Sequence, residues 1–286
     1  MIELLSPHGS SFPIIHLETE TCTADVSLYG AQLLHWSPRG QEPVLWLSPQ
    51  TLFRVGKAVR GGNPLCWPWF GPHGDGSSRP AHGVGRISHW TLEGTKEHDD
   101  GSAELSLTLA PEDTELPKAR LDLVIGASLS MRLHTVARKD GTRYSSAFHT
   151  YFNVGDRERC TIAGLEHAPF QEFAAGAIPH GENPLSPLGA IDRIYYPCAG
   201  EIRLDDPELA RRILITRQGS QSFVVWNPGS DAAAGMADIG AGNERQFLCA
   251  ETAVVPQEGI VLHAGEAHTL ACKIEVLPFP SADAPA

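Results

Sequence analysis

Short runs of alternating apolar and polar residues recur along almost the whole chain, and they constrain its fold more than any other feature. Clear examples are ADVSLYGAQLLHWSP (24–38), AELSLTLAP (103–111) and LDLVIGASLSMRLHTVAR (121–138). Alternation with a period of two is typical of strands with one buried face. The 28 Gly and 22 Pro residues supply turns between the runs. The pattern predicts an all-β fold, a large sandwich or barrel, and not alternating β-α units.

The same criterion predicts strands elsewhere and almost no helix. Further predicted strands are PVLWLSP (43–49), HWTLEGT (89–95), RRILITR (211–217), SFVVWNP (222–228) and HTLACKIEVLP (268–278). The best helix candidate, PELARR (207–212), is long enough for only one or two turns. Two regions rich in turn residues, 60–86 and 167–200, are longer than ordinary loops, which predicts a functional role for both.

Composition limits the number of domains and the surroundings of the protein. With 42% hydrophobic residues and no linker of distinct composition, the 286 residues are expected to form one domain, 1–286, with a frayed tail from about residue 280. The opening MIELLSPHGS resembles no signal or transit peptide, and no apolar run could cross a bilayer, so a cytoplasmic location is expected. The six widely spaced cysteines are expected to be free, buried thiols.

The net charge of the chain bears on which classes of ligand it can bind. The sequence carries 22 basic and 34 acidic residues, a formal net charge of −12. This argues against binding to nucleic acid or to an anionic membrane. A small anion remains compatible, because two or three placed arginines can hold it.

Two glycine-containing segments carry candidate binding residues. Arg60 precedes two glycines in VRGGNPLCWPWFGPH (59–73), where its planar guanidinium could meet a carboxylate or phosphate; a surface arginine in a tight turn is the alternative. His82 and Arg86 share AHGVGRISHW (81–90), which lacks the third glycine of a nucleotide-binding loop. His73, His82 and His89 match no zinc signature, so solvated or hydrogen-bonded histidines are expected there.

Three further residues stand out by their surroundings. Glu251 interrupts the apolar run LCAETAVV (248–255), where a carboxylate must be paired, hydrogen-bonded or facing a cleft, unless the strand has a solvated face. Asp192 in AIDRIYYP has the same ambiguity, and Arg193 could simply pair with it. His149 in FHTYF is either a packed core residue or an oriented proton donor. No serine-nucleophile elbow occurs, whereas paired-carboxylate glycosidase chemistry stays open.

Several motifs together resemble one known family. VRGGNPLCWPWFGPH, AHGVGR, FHTYFNV, IDRIYY, VVWNPG with GMAD, and LCAET occur in the order seen in the hexose-6-phosphate mutarotases (glucose-6-phosphate 1-epimerases) of the aldose 1-epimerase superfamily. The resemblance extends from about residue 24 to residue 277. It implies a large antiparallel β-sandwich of the galactose-mutarotase type, with a sugar bound in a cleft across one sheet.

The resemblance also implies a role for each candidate residue. His149 corresponds to the general acid and Glu251 to the general base of ring opening. His82 and Asp192 correspond to sugar-binding residues, and Arg60 and Arg86 to the groups that recognise the phosphate. Arg54 and Lys57, close by in sequence, could share that last role.

The implied chemistry needs no metal, nucleotide or redox cofactor, and the expected partner is a small phosphosugar bound to a monomer. We expect a bell-shaped pH dependence, with an acidic limb set by Glu251 and an alkaline limb set by His149. Three alternatives remain at this point: a mutarotase for free galactose or glucose, a non-catalytic carbohydrate-binding module or sugar sensor, and glycoside hydrolysis or lyase chemistry on a similar scaffold.

Overall fold

The computed structural model describes residues 1–279, and the tail predicted from about residue 280 lies outside them. That the whole chain forms one domain stays a prediction. The strands, in chain order, are β1 (Ile2–Leu5), β2 (Ile14–Glu18), β3 (Cys22–Ser27), β4 (Gln32–Pro38), β5 (Leu65–Cys66), β6 (Thr91–Glu97), β7 (Ala103–Leu109), β8 (Lys118–Ile125), β9 (Ser128–Val136), β10 (Thr142–Arg143), β11 (Ser146–Phe148), β12 (Tyr151–Asn153), β13 (Thr161–Ala163), β14 (Phe170–Glu172), β15 (Gly181–Glu182), β16 (Leu185–Ser186), β17 (Ile191–Tyr195), β18 (Ile202–Asp206), β19 (Arg211–Gln218), β20 (Ser222–Asn227), β21 (Phe247–Val254), β22 (Val261–Leu262) and β23 (Ala267–Pro278).

Helical structure is scarce within the described residues. The α-helix α1 spans Gly229–Gly235, and four single-turn 3₁₀ helices span Gly85–Ile87, Arg157–Arg159, Asn243–Gln246 and Pro256–Glu258. The prediction of an all-β fold is therefore confirmed. No helix in the described part of the chain is long and apolar enough to cross a membrane.

Two large antiparallel sheets dominate the architecture. The ten-stranded sheet has the order β15-β16-β13-β18-β19-β23-β9-β8-β7-β6. The seven-stranded sheet has the order β14-β17-β20-β21-β11-β5, and β12 also pairs with β21. Apolar side chains from both sheets, such as Leu121 and Leu123 of β8 and Phe223 and Val225 of β20, belong to one buried cluster. The sheets thus form the predicted sandwich, with the main core between them.

The central strand β21 is buried on both faces, and the two faces contact different parts of the molecule. Leu248, Ala250 and Val254 point into the core between the sheets. Because side chains alternate along a strand, Glu251 points to the opposite face, as does Cys249, which packs in a separate cluster there. The seven-stranded sheet therefore presents Glu251 on its outer face, away from the main core.

Two of the predicted elements are wrong in detail. PVLWLSP forms isolated bridges and no continuous strand, because Leu45 pairs singly with Phe152 of β12 and Leu47 pairs singly with the loop residue Gly61. PELARR does not form a helix: residues 207–210 are the turn of the β18–β19 hairpin, and Arg211 already belongs to β19. The sequence prediction missed α1, whose run GSDAAAG has three successive alanines, good helix formers, but covers only seven residues.

The other strand predictions and the cysteine prediction are confirmed. ADVSLYGAQLLHWSP forms β3 and β4 with a turn between them, and LDLVIGASLSMRLHTVAR covers most of β8 and all of β9. All six cysteines are free and buried.

Candidate active site

A cavity of about 240 Å³ opens on the outer face of the seven-stranded sheet. It brings together the six residues proposed from the sequence as catalytic or sugar-phosphate-binding groups: Arg60, His82, Arg86, His149, Asp192 and Glu251. Its lining consists of Arg60, Phe70, His82, Arg86, His149, Asp192, Val224, Trp226 and Glu251. The two turn-rich regions, 60–86 and 167–200, contribute five of these nine residues, and their functional role stays a prediction.

Three adjacent strands form the floor of the cavity. Glu251 of β21 lies opposite Val224 of β20. Asp192 of β17 lies opposite Trp226 of β20. These four side chains share one face, because opposite residues in an antiparallel pair point to the same side of the sheet. The register of β17, β20 and β21 therefore places two carboxyl groups, distant in sequence, on one surface.

His149 lies between β11 and β12 at the edge of this floor. Its backbone N–H donates to the Pro64 carbonyl oxygen at 3.0 Å, which fixes the chain at that point. Its ring stacks on Tyr151, with 5.0 Å between ring centroids and 7° between planes. The flanking Phe148 and Phe152 point into the main core. FHTYF thus holds the imidazole by packing on one side and leaves it lining the cavity on the other.

His149 and Glu251 meet directly. The Nδ1 atom of His149 lies 3.4 Å from Oε1 of Glu251, and the side chains are 11% and 1% exposed. Within residues 1–279, neither Nδ1 of His149 nor Oε2 of Glu251 has a hydrogen-bond partner, although both are buried. Buried polar atoms without partners are destabilising, so a pair kept in this state is typical of a site that meets its partner in a ligand.

The surroundings of the pair favour the neutral form of both groups. Burial lowers the pKa of His149 well below its usual value, and His82, Arg86 and Arg60 lower it further. Burial also raises the pKa of Glu251 well above its usual value, and the carboxyl of Asp192 adds to that rise. When the pair holds one proton, the proton therefore prefers the carboxyl group. Its transfer to the imidazole leaves the total charge unchanged.

His82 is held as a neutral imidazole of defined tautomer. The Gly71 backbone N–H donates to its Nδ1 atom at 3.3 Å, and the Cys66 thiol sulfur lies 3.4 Å from the same atom. Burial, with Arg86 and Arg60 nearby, lowers the pKa of His82 to about 3. Since Nδ1 accepts, the proton is on Nε2, which makes His82 a hydrogen-bond donor there.

The backbone at His82 is locally strained. His82 has a φ of 63°, in the left-handed region that non-glycine residues rarely adopt. At the following Gly83, an added Cβ would lie 2.0 Å from the Trp67 carbonyl oxygen, so only glycine fits. The close packing of Gly83 against Trp67 fixes the backbone next to His82, whose side chain lines the cavity.

Asp192 is not paired with its neighbour in sequence. Arg193 binds Glu172 at 2.7 Å and Glu182 at 2.9 Å, so the simple Asp192–Arg193 pair considered above is wrong. Burial, together with the nearby Glu172 carboxyl, raises the pKa of Asp192 to about 6. The Asp192 carboxyl lines the cavity, where it can accept hydrogen bonds from a ligand.

The two arginines of the cavity have different surroundings. The Nε atom of Arg60 donates to Oδ2 of Asp238, and its Nη1 atom donates to the Tyr151 hydroxyl, both at 2.9 Å. The Nη2 atom of Arg86 donates to the Ala81 carbonyl oxygen at 2.9 Å. Among residues 1–279, no carboxylate lies within salt-bridge distance of Arg86. Arg86 is thus the cation of the cavity that is not neutralised by a neighbour.

The other cations near Arg60 in sequence lie elsewhere. Arg54 and Lys57 are exposed and are not part of the cavity lining. The first glycine after Arg60 serves the packing of the backbone. An added Cβ at Gly61 would lie 2.5 Å from the Trp46 carbonyl oxygen, so this glycine permits close packing of backbone segments and not the approach of a ligand.

The three histidines considered as metal ligands are held separately. His73 pairs with Asp75 at 2.5 Å, and the His89 ring packs edge-on against Tyr29, while His82 lines the cavity. Within the described part of the chain, no group of three or more His, Cys, Asp or Glu side chains is arranged to hold a metal ion.

The sequence reasoning missed three residues that shape the site: Tyr151, Trp226 and Asp238. Tyr151 and Trp226 occur in the quoted motifs FHTYFNV and VVWNPG, and Asp238 ends GMAD, but none was singled out. Their position in those motifs was the available signal. Their contacts with Arg60 and His149 appear only when the chain is folded.

Comparison with known proteins shows the family of the chain. The sequence profile of the aldose 1-epimerase family matches residues 13–275. A protein of Escherichia coli K12 named "putative glucose-6-phosphate 1-epimerase" is 34% identical over 283 residues, covering 94% of each chain. A protein of the same name from Cenchrus ciliaris is 29% identical, over 92% of this chain and 84% of that one.

Solved structures share the fold. The crystal structure of a "putative mutarotase" from Salmonella typhimurium superposes with a TM-score of 0.84 at 28% identity, over 93% of this chain and 91% of that one. The galactose 1-epimerase of Lactobacillus acidophilus NCFM superposes with a TM-score of 0.72 over 97% of this chain and 99% of that one; at 15% identity, this is a likeness of fold alone. The predicted galactose-mutarotase type of sandwich is confirmed. Since the family profile spans most of the sequence, the chain belongs to the aldose 1-epimerase family.

Proposed function

We propose that this protein is an isomerase that interconverts the α and β anomers of a hexose 6-phosphate, with glucose 6-phosphate as the preferred substrate. The observation that carries the proposal is the 3.4 Å contact of His149 with Glu251 in a cavity that also holds the guanidinium groups of Arg60 and Arg86. An acid–base pair suits ring opening, and two arginines suit a phosphate. The names of the Escherichia coli and Cenchrus ciliaris relatives support the same substrate.

The reaction consists of two proton transfers and a bond rotation. The Glu251 carboxylate takes the proton of the anomeric hydroxyl, whose oxygen forms the carbonyl double bond with C1. The bond from C1 to the ring oxygen breaks at the same time, and that oxygen takes its proton from His149. Rotation about the C1–C2 bond presents the other face of the aldehyde. Closure reverses both transfers, so each group returns to its starting state.

The pair must hold one proton when the sugar binds, as carboxylate and imidazolium. Because the pKa of Glu251 is raised and that of His149 is lowered, neither limb of the pH profile belongs to one residue, in contrast to the expectation from sequence. We expect kcat/KM to follow a bell whose limbs report the pair jointly. A rate that is constant from acidic to alkaline pH would count against the pair as acid and base.

The remaining lining residues bind the sugar. His82, neutral and protonated on Nε2, donates a hydrogen bond to a sugar oxygen. Asp192 accepts hydrogen bonds from sugar hydroxyls when it is ionised. Arg86 and Arg60 bind the phosphate, with Arg86 supplying the uncompensated charge. Monomeric state and cytoplasmic location stay predictions.

Magnetisation-transfer NMR tests the proposal most directly. The anomer exchange rate of glucose 6-phosphate is measured with and without protein, beside free glucose and free galactose. We expect the protein to accelerate exchange of the phosphosugar most. Faster exchange of a free sugar would indicate a free-aldose mutarotase instead. Exchange equal to that in buffer for all three sugars would support a non-catalytic binding module, and cleavage of a glycoside would indicate hydrolase or lyase chemistry.

A further inference from the structure

Arg60 is held in the cavity wall by two partners. The Asp238 carboxylate binds Nε and the Tyr151 hydroxyl binds Nη1, which leaves part of the guanidinium fork to line the cavity. The Tyr151 ring stacks in turn on His149. Tyr151 therefore contacts both Arg60 and His149, the proposed general acid, so a shift of Arg60 would disturb the packing of the His149 ring.

Asp238 reaches Arg60 from a distant part of the chain. It follows α1 in the motif GMAD and lies 178 residues from Arg60 in sequence. Buried Ser48 joins the two segments: its hydroxyl donates to the Asp238 carbonyl oxygen at 2.6 Å, and its backbone N–H donates to the Arg60 carbonyl oxygen at 3.1 Å. The fold therefore fixes the backbone on both sides of the ion pair, which is more than an incidental surface contact requires.

The ion pair makes the two cavity arginines unequal. The Asp238 carboxylate neutralises Arg60, and the two side chains are 35% and 27% exposed. Arg86 has a backbone carbonyl as its partner. A phosphate entering the cavity therefore meets one full positive charge and one that is already compensated.

We propose that Asp238 is a specificity-determining residue that limits the affinity of the cavity for the substrate's phosphate while it orients the Arg60 guanidinium. The inference rests on the function proposed above. Its physical reason is that substrate and product carry the same phosphate, and binding that is equally strong throughout the reaction slows release without accelerating chemistry. An arginine that is oriented but neutralised gives hydrogen bonds with a smaller electrostatic attraction.

Asp238→Asn separates the charge from the hydrogen bond, because the Asn side-chain oxygen can still accept from Nε. Isothermal titration with glucose 6-phosphate, inorganic phosphate and glucose gives the dissociation constants. We expect Kd for both phosphate-bearing ligands to fall by about fivefold, with a smaller change for glucose, since removal of a partly screened carboxylate raises the local potential. The gain should shrink at high salt.

Asp231→Asn is the matched control. Asp231 is an exposed residue of α1, so the substitution makes the same change in net charge outside the cavity. We expect Kd to stay within about twofold of wild type for each ligand, as for most surface substitutions. Thermal unfolding of each variant shows whether it is folded before the titrations are compared.

Asp238→Ala tests the orienting role, because it removes the acceptor as well as the charge. We expect kcat for glucose 6-phosphate to fall at least about threefold below that of Asp238→Asn, since Arg60 and the stacked Tyr151 lose one anchor. Equal kcat values for the two variants would overturn the orienting role. Unchanged phosphate affinity in Asp238→Asn would overturn the role in specificity.

The titrations also separate this inference from the proposed function. If wild-type protein does not accelerate anomer exchange, the proposed function fails, but the Kd comparison for inorganic phosphate and glucose 6-phosphate still decides whether Asp238 limits phosphate binding. If the wild type is active and Asp238→Asn binds no more tightly, the inference fails and the function stands.

Discussion

Two cavities share Phe70 in their walls, and they differ in how their charged groups are satisfied. The larger, of about 740 Å³, is lined at its surface by paired side chains, such as His73 hydrogen-bonded to Asp75 and Lys139 in an ion pair with Glu115. The smaller, of about 240 Å³, contains His149 and Glu251, and within the described chain the buried Nδ1 atom of His149 and Oε2 atom of Glu251 lack hydrogen-bond partners.

The comparison teaches that the candidate site is distinguished by its unsatisfied buried groups and not by its volume. Exposed pairs such as those of the larger cavity contribute little to stability and are screened by salt. The buried, unpartnered groups of the smaller cavity lower the free energy of unfolding. A fold that retains them gives up stability at this place, as is common at functional sites. The smaller cavity is accordingly where the largest effects of substitution on activity are expected.

Glu251→Gln should give the largest effect. Glutamine has nearly the same shape but cannot take the anomeric proton, so we expect the anomer exchange rate to fall by about 10²- to 10⁴-fold. The control is Glu97→Gln on exposed β6, which removes the same charge far from the proposed chemistry. A loss of less than about tenfold in the exchange rate would mean that Glu251 is not the base.

Arg86→Gln should give the next largest effect, and a selective one. Loss of a charge-assisted contact to the phosphate should lower kcat/KM for glucose 6-phosphate by about 10- to 100-fold, with less than about threefold for free glucose. Arg54→Gln, outside the cavity, serves as the control for net charge. Equal losses of kcat/KM for both sugars would show that Arg86 does not bind the phosphate.

Stability should respond to Glu251→Gln in the opposite direction from activity. The folded-state pKa of Glu251 is raised above the ordinary value of 4.5, so its contribution to stability is present below that value and is lost as pH rises through the folded pKa. Glutamine does not titrate. The variant should therefore gain Tm relative to wild type between roughly pH 5 and pH 8, by a few degrees.

Differential scanning calorimetry at both pH values provides the check. His149 has a lowered pKa, so its contribution is lost as pH falls below its ordinary value. Because His149 contacts Glu251, the comparison of the two proteins reports the change in the titration of the pair. A Tm difference that is constant with pH would show that the carboxyl is not desolvated in the folded protein.

Arg143→Gln in the larger cavity should give the smallest effect. Arg143 is exposed, and its cavity contains no residue of the proposed acid–base pair. We expect kcat/KM for glucose 6-phosphate to change by less than about twofold. A tenfold loss would show that the larger cavity takes part in substrate binding, and the contrast between the two cavities would fail.

Much of the site could be predicted from motifs, but the reasons for its properties could not. Glu251 stood out because a carboxylate in an apolar run needs an explanation, and His149 because of its aromatic neighbours. Neither pattern shows that the two side chains meet at 3.4 Å. Asp238 shows the limit more clearly, since its partner Arg60 lies 178 residues away.

Local sequence also left some elements undecided. PVLWLSP alternates like a strand yet forms isolated bridges, because it meets Phe152 of β12 and the loop residue Gly61 at single positions only. PELARR has residues that favour a helix, but it connects two antiparallel strands and becomes their turn. Such short segments take the structure that their neighbours impose, since their intrinsic preferences are weak.

The sequence by itself determined the all-β class, because alternation and turn residues act over a few positions and need no knowledge of distant partners. Only the tertiary structure decided which face of β21 became the cavity floor, for LCAETAVV is apolar on both sides. Packing of Leu248 and Ala250 against the ten-stranded sheet turned Glu251 outward, beside His149 and Asp192. Strand register fixes such contacts, and register depends on pairings between segments that lie far apart in the chain.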